Sequence, residues 1–449
     1  MLLFGHQQRK QELNDFTAKI FNINRLLRVS SLLIPLLLAM KVSFVDKKIY
    51  EEVQGYEARS SRRILSGRRG FLCRGDKSSQ CGIRKTNGRA DAVFVFGAIK
   101  YDQQRMIDGI NSKVKDAVLV GCSTDGEIVT DGYMEDSVSL MVLNSDEFSF
   151  SVGYGLNAHQ DAQKTAQDAI NMALGHLESK SPSICFLFGD GTKANGVDLI
   201  EGAKTVLGKK FHIVGGLAGD GFKFEKTYQY CNNQVITNGG VSLLITGDIT
   251  VATGVKHGWT SIGRERIVTK AQGNIVYGLD GESVSKIYED YLGERADELP
   301  GVAFEFPFGI IDKNKQEYLR CPVGIDKELG TITFAGEVPV GAIVRMTTGT
   351  TIDAIKAARE ASEHALSGLG QGVTPAAIFI FDCCARKKVF GRRTQKEIDA
   401  IQGVLGEKVP MIGFYTYGEI APVVEGTGTG TIGTSAFHNL TDAIVVFGK

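Results

Sequence analysis

Apolar residues in this chain fall into a pattern that recurs three times. Ala90 to Ile128 reads ADAVFVFGAIKYDQQRMIDGINSKVKDAVLVGCSTDGEI. Ser181 to Gly221 reads SPSICFLFGDGTKANGVDLIEGAKTVLGKKFHIVGGLAGDG. Thr374 to Ile420 opens on TPAAIFIFDCC and closes on QKEIDAIQGVLGEKVPMIGFYTYGEI. Each segment starts with a continuous apolar run containing Phe-x-Phe, of the kind that suits a strand covered on both faces. A helical period follows. Met106, Ile107, Ile110 and Val114 share one face, as do Leu199, Ala203, Val206 and Leu207, and then Ile398, Ile401 and Leu405. A second apolar run returns and ends on glycine. Strand–helix–strand in this order predicts parallel pairing with right-handed crossovers.

SVSLMVLNSDEFSFSVGYGL follows the first unit and GVSLLITGDITVATGVKHGW the second. Each predicts two strands joined by a short turn, and FHNLTDAIVVFGK adds a last strand. The expected fold is α/β: repeated strand–helix–strand units with mixed, largely parallel sheets plus added antiparallel strands.

The sharpest signal is an echo. GCSTDGEI (121–128) and GFYTYGEI (413–420) agree at five of eight positions, each just after an apolar strand of the same kind of unit. This predicts a duplication with both turns in equivalent places, beyond the C-terminal end of a parallel strand, where open α/β sheets bind ligands. Thr124 and Thr416 offer hydroxyls, and Glu127 and Glu419 offer acceptors for an amine or arginine. The bland alternative is that Thr and Glu only cap a turn. The middle repeat carries GGLAGDG instead, with Asp220 as its nearby acid, and is expected to keep the shape in a different role. A ligand cleft is expected where the N- and C-terminal parts meet.

Composition narrows the class. The 449 residues carry 51 Lys+Arg against 51 Asp+Glu, which argues against a nucleic-acid binder relying on a global basic field. The eight cysteines include no CxxC pair, so they read as thiols in a reducing, cytoplasmic compartment with no metal site. Residues 1–90 form an atypical N-terminal segment, expected to be partly disordered. Its run LLIPLLLAM (32–40) is nine residues long, against the roughly twenty that span a membrane, so no integral membrane segment is expected. A signal peptide, a translation start at Met40 with a strand entering a helix, and a peripheral amphipathic segment all stay open. Arg59 to Arg89 holds ten Lys/Arg and one acid, and no function is assigned to it.

The chain resembles the FIST family of sensory domains from about Asp91 to Phe447. The resemblance is carried by AVFVFG, GCSTDGE, HIVGGLAGDG and GVKHGWTSIG, by TFAGEVPVGAIVRMTTG and the Cys384-x-Arg386 segment, and most specifically by GFYTYGEIAP and FHNLT. It implies a FIST N-like domain at 91–283 and a FIST C-like domain at 284–449. It also implies a binding module, not an enzyme, that takes a small polar ligand such as an amino acid and regulates a histidine kinase, a cyclic-nucleotide enzyme or a chemotaxis-type receptor. Carried onto this sequence, the ligand-binding candidates are Arg386, Tyr415, Tyr417, Gly418, Glu419, His438 and Asn439, with Thr124, Glu127 and Trp259. Arg386 is expected to hold a carboxylate and Glu419 to face an amine. Some FIST-like proteins bind haem and sense nitric oxide, which makes His257 the candidate haem ligand. The sequence itself favours an exposed histidine on a turn. A cysteine-dependent enzyme using Cys384 is the remaining alternative, weighed against a buried thiol beside solvated cations. GDGTKANG (189–196) is glycine-rich but lacks the spacing of a phosphate-binding loop.

Overall fold

The structure is a computed structural model, and it describes residues 41–44, 90–114, 116–177, 181–299, 301–311, 317–424 and 432–449. The basic stretch at 59–89, the apolar run at 32–40 and the helix expected after the Met40 strand lie outside them. That strand itself is present as β1 (Lys41–Phe44).

In the first unit come β2 (Ala92–Ala98), α1 (Gln103–Asn111), β3 (Val118–Thr124), β4 (Glu127–Val129), β5 (Gly132–Met134) and β6 (Val138–Asn144). Next are β7 (Ser149–Leu156), α2 (Ala162–Gly175), β8 (Pro182–Gly189), α3 (Gly196–Leu207), β9 (Ile213–Leu217), β10 (Gln229–Cys231), β11 (Gln234–Ile236) and β12 (Gly239–Thr246). After β13 (Thr250–Lys256) the chain builds a separate sheet: β14 (Thr260–Gln272), β15 (Ile275–Leu279), β16 (Glu282–Ser283), α4 (Val284–Leu292), β17 (Phe308–Ile311), β18 (Glu317–Arg320), β19 (Pro322–Asp326), β20 (Thr331–Phe334) and β21 (Ile343–Thr348). It ends with α5 (Thr351–Gly368), β22 (Pro375–Cys383), α6 (Cys384–Phe390), α7 (Thr394–Leu405), β23 (Met411–Thr416), β24 (Glu419–Val424), β25 (Ile432–His438) and β26 (Asp442–Gly448).

Three sheets share one plan. Their orders are β1-β6-β2-β3-β10-β11, β7-β12-β8-β9-β24-β25 and β13-β26-β22-β23-β4-β5. Each centres on the strand pair that the repeats predict, β2–β3, β8–β9 and β22–β23, and each of those pairs is parallel. The sheets are mixed, as expected, but parallel pairing is confined to that one pair per sheet. The reason is that every unit sends its next hairpin to a neighbour. The hairpin β4–β5 pairs with β23, β24–β25 pairs with β9, and β10–β11 pairs with β3. The units are therefore laced in a ring.

The Phe-x-Phe runs meet at the centre of that ring. Phe94, Phe186 and Phe379 stand 4.9 Å apart, centroid to centroid, in all three pairings. Phe96, Phe188 and Phe381 form a second layer, closed by Phe414. Tilted and edge-on rings of this kind contribute about 0.5–1.5 kcal/mol per pair beyond burial.

The returning strand of each unit carries glycine for a packing reason. Gly121, Gly215 and Gly413 are register partners of Val95, Leu187 and Ile380. A Cβ on these glycines would lie 1.7, 2.1 and 2.1 Å from those residues' carbonyl oxygens. Helices start where the sequence supplies caps: Asp102, Asp161 and Asn195 each accept from a first-turn amide, and Thr350 with Asp353 makes a capping box at α5. The fourth sheet has its own core around Tyr288, Phe308 and Phe334.

Candidate functional site

The echoed turns occupy equivalent places. Thr124 ends β3 and Thr416 ends β23, while Glu127 begins β4 and Glu419 begins β24. Their hydrogen bonds match as well. The Thr124 hydroxyl donates to Glu127, and the Thr416 hydroxyl donates to Glu419 at 2.8 Å. Gly126 N and Gly418 N donate to the respective threonine hydroxyls. Glu127 then accepts from Ser137 N and its hydroxyl, and Glu419 from Thr441 N at 3.0 Å and its hydroxyl at 2.6 Å. Both carboxyls are buried. Each turn is a lock at the point where the chain leaves one sheet for the next.

These locks carry a pH signature. Burial, partly offset by the Ser137 and Thr124 hydrogen bonds, pushes Glu127 up to about 7 from 4.5. Its folded pKa thus lies above its unfolded one. Its contribution to stability is full below about pH 4.5 and is lost as pH rises through about 7. Unfolding titrations from pH 5 to 8 are expected to show stability falling, with a shallower fall in Glu127→Gln. Glu419, Asp382 and Asp442 are shifted in the same direction by burial and keep part of the slope in that variant.

Arg386 is wholly buried, not one of a run of solvated cations. Its Nε lies 2.9 Å from Asp382 Oδ1 and 3.1 Å from Glu397 Oε1. Its other nitrogens donate to Glu397 and to the carbonyls of His257 (2.7 Å), Leu440 (3.3 Å) and Ala354 (3.1 Å). The chain itself supplies its carboxylates. Asp442 faces Asp382 across β22–β26, so three acids surround one arginine. Burial pushes the Asp382 and Asp442 carboxyls well above their ordinary value, against the pull of the Arg386 charge.

FHNLT ties this network together. His438 Nε2 donates to the Ala421 carbonyl at 3.1 Å, and burial lowers the imidazole to about 4. Asn439 Oδ1 accepts from Cys321 N at 3.3 Å, and its amide donates to the His438 carbonyl. Tyr415 is buried, with its hydroxyl 3.4 Å from Glu397. A Cβ on Gly418 would strike the Phe437 ring at 2.2 Å.

Trp259 is 4% exposed and packs in one apolar cluster with Cys321, Cys383 and Leu440. His257 is half-buried rather than exposed on a turn. Its Nδ1 accepts from Trp259 N at 3.0 Å, and burial with the nearby Arg386 charge lowers it to about 4. A haem ligand needs an open apolar cavity beside the imidazole. The His257 imidazole instead accepts from Trp259 N and its carbonyl takes the Arg386 guanidinium at 2.7 Å, surroundings that fit a structural histidine.

The cleft lies elsewhere, with a volume of about 350 Å³. Its polar wall is the loop from Gly191 to Gly196 ahead of α3, with Thr192, Lys193 and Asn195. Asp190 shapes this loop by accepting from Thr192 N (2.8 Å) and Lys193 N (2.9 Å) and, on its other oxygen, from Asn238 N. Asn274, in the turn between β14 and β15, and Glu337, in the loop after β20, also line it. Phe222, Phe224, Phe304, Phe334 and Tyr417 give it aromatic walls. Tyr417 stacks on Phe224 at 4.5 Å and donates its hydroxyl to Asp220. Asp220 also accepts four amides, Lys223 to Lys226, which is the separate role of the middle repeat. Cys321, Cys383 and Cys384 also line the cleft.

Of the residues singled out from sequence, Tyr417 and Cys384 thus reach the cleft. Arg386, Glu419, His438, Asn439, Tyr415 and Trp259 lie in the packed network beside it, and Thr124 and Glu127 lock the β3–β4 turn. Sequence reasoning missed Lys193, Phe222, Glu337 and Cys383. The glycine-rich GDGTKANG and the GLAGDGF turn were the available signals for the first two.

Together the three-sheet ring, the added fourth sheet and the cleft between them define a mixed α/β protein; among the described residues no helix is long and apolar enough to cross a membrane. The FIST N domain matches residues 91–282 and the FIST C domain matches residues 285–422. The chain belongs to the FIST family, whose domains serve as sensory domains in signal transduction. The two domains share the fourth sheet, where β14 of the first pairs with β21 of the second. An uncharacterized protein of Mycobacterium tuberculosis (strain CDC 1551 / Oshkosh) is 26% identical over 354 residues, covering 76% of this chain and 86% of that protein. An uncharacterized protein of Methanocaldococcus jannaschii is 24% identical over 223 residues, covering 47% and 43%. Among solved structures, a cyanuric acid hydrolase from A. caulinodans is similar with a TM-score of 0.33 and 8% identity, over 91% of this chain and 98% of that one; a likeness at that level says nothing about chemistry.

Proposed function

We propose that the protein is a cytoplasmic sensor whose cleft takes a free amino acid or a close relative, with binding and not turnover as its function. The observation that carries this reading is charge placement. Lys193 and Glu337 line one cleft that also carries five aromatic side chains. Such a site suits a zwitterion, with the carboxylate on Lys193, the ammonium on Glu337 and the side chain against Phe222 and Phe304. Six free, buried cysteines among the described residues accord with a reducing compartment. The ligand-bound state would then be read by a signalling partner of the histidine-kinase, cyclic-nucleotide or chemotaxis-receptor kind.

The test is a thermal-shift panel of amino acids and related metabolites on the full chain. At least one is expected to raise the melting temperature. Lys193→Ala and Glu337→Ala are each expected to weaken it about tenfold, the loss of one charge-assisted contact. If no member of the panel shifts melting, or if both variants bind as the parent does, the reading is wrong.

A further inference from the structure

The five aromatic side chains that line the cleft are not equivalent. Phe334 is fully buried and stacks on Phe308 at 4.9 Å. Tyr417 is buried, and Asp220 holds its hydroxyl. The Gly191 backbone backs its ring, since a Cβ there would lie 2.9 Å from it. Phe222 carries the Lys388 ammonium 4.3 Å from its ring centroid. Phe304 is half-buried and stands edge-on to Phe222 at 5.9 Å. Phe224 differs from all four. Tyr417 covers one face of its ring, at 4.5 Å and 22°, yet the residue is 45% exposed. Its other face is an open aromatic surface on the wall of a cleft. Of the large apolar side chains that stand exposed among the described residues, Phe224 is the one that lines the cleft. Covering such a surface is what favours association.

The backbone fixes this ring. Phe222 and Phe224 adopt left-handed φ angles of 64° and 55°, a region that bulky side chains avoid. Such conformations persist where the surrounding contacts over-determine them, and they cluster at ligand clamps. Here the contacts are those of Asp220, which accepts from the amides of Lys223, Phe224, Glu225 and Lys226 at 2.7–3.1 Å. The loop is wound around one carboxylate, and that carboxylate also takes the Tyr417 hydroxyl. Phe224 and the ring it stacks on are thus tied to a single anchor. Phe222 stands edge-on to Phe224, at 5.5 Å and 86°, and forms a side wall at right angles to it.

We propose that the cleft selects amino acids with an aromatic side chain, and that Phe224 is the residue that determines this selectivity. This rests on the reading of the cleft as an amino-acid site and names the side-chain class. The ligand ring lies on the open face of Phe224, extends the Tyr417–Phe224 stack by one ring and meets Phe222 from the side. Offset stacking and edge-on contact are the arrangements that aromatic pairs prefer. A flat ring also covers more of Phe224 than a branched aliphatic chain does. The carboxylate and ammonium keep their places at Lys193 and Glu337. The cleft volume of about 350 Å³ suits one small molecule.

The test is calorimetric titration of the full chain with phenylalanine, cyclohexylalanine, leucine, glutamate and 3-phenylpropionate. Phenylalanine is expected to bind about tenfold tighter than leucine, and about threefold tighter than cyclohexylalanine, which has the bulk of a ring without its π face. Phe224→Leu is expected to bring phenylalanine down to the affinity of leucine while leucine itself binds as before. Phe224→Tyr is expected to keep the preference. A merely structural role for Phe224 would weaken both ligands together. Leucine or glutamate binding as tightly as phenylalanine overturns the proposal and leaves the amino-acid reading standing, and so does an unchanged preference in Phe224→Leu. The compound 3-phenylpropionate lacks the ammonium. If it binds as tightly as phenylalanine and loses that affinity in Phe224→Leu, the zwitterion reading falls and Phe224 stands as the ring platform. If no compound of the set binds, both fall. Should Phe224→Leu fail to fold, the ratio of phenylalanine to leucine affinity in the parent protein decides.

Discussion

Arg386→Ala is expected to destabilise the protein by about 3–5 kcal/mol, the cost of stripping the partner from a buried ion pair. The guanidinium is the counter-charge for Glu397 and lies against Asp382, all of them fully buried. It also ties three carbonyls from separate parts of the chain, His257, Leu440 and Ala354. Alanine removes the counter-charge beside the buried Glu397 carboxyl and takes the guanidinium away from those three carbonyls. Arg386→Lys is expected to recover little of this, because an ammonium cannot serve two acids and three carbonyls with a planar fork. Urea unfolding and soluble yield read the effect. A variant that melts like the parent but no longer responds to an amino acid would instead return Arg386 to the ligand.

Gly413→Ala is expected to cost about 3 kcal/mol, at the upper end for overpacking in a closed interior. The added Cβ would lie 2.1 Å from the Ile380 carbonyl oxygen, a backbone atom of the register partner in the parallel pair β22–β23. Nothing there is a flexible side-chain end, so the two strands must part. Those strands also carry Phe379, Phe381 and Phe414 into the aromatic centre, and the displacement reaches the ring of three units. Gly121→Ala, with 1.7 Å to the Val95 carbonyl, is expected to be at least as costly. Gly403→Ala in α7 is the control. Nothing lies within 4 Å of its Cβ position, and a helical glycine replaced by alanine is expected to gain about 0.5–1 kcal/mol. Equilibrium unfolding of the three variants tests the ranking, and a Gly413→Ala protein as stable as the control would remove the packing account.

The echo was legible as a duplication because both copies do the same local job. Gly, Thr, Gly and Glu at fixed spacing build one hydrogen-bond lock, and such short-range geometry is written in adjacent residues. Whether that lock serves a ligand or the chain depends on where Ser137 and Thr441 come from. Those partners are 10 and 22 residues away, and no spacing rule announces them. The same limit applied to Arg386: the sequence showed a cation after a strand, and the fold brought Glu397 and the carbonyl of His257 to it.

The sequence by itself determined the three strand–helix–strand units, their buried Phe-x-Phe strands, the glycine-ended return strands and the family. Each of these depends on periodicity or on neighbours a few residues apart. The tertiary structure alone decided three things: that the hairpins cross between sheets in a ring, that a fourth sheet stands over the strand ends, and that Lys193, Glu337, Tyr417 and Cys383 share one cleft. The physical reason is distance along the chain. These groups come from loops after different strands, and a loop's position is set by which sheet edge its flanking strands pair with, a choice made by packing of the whole molecule.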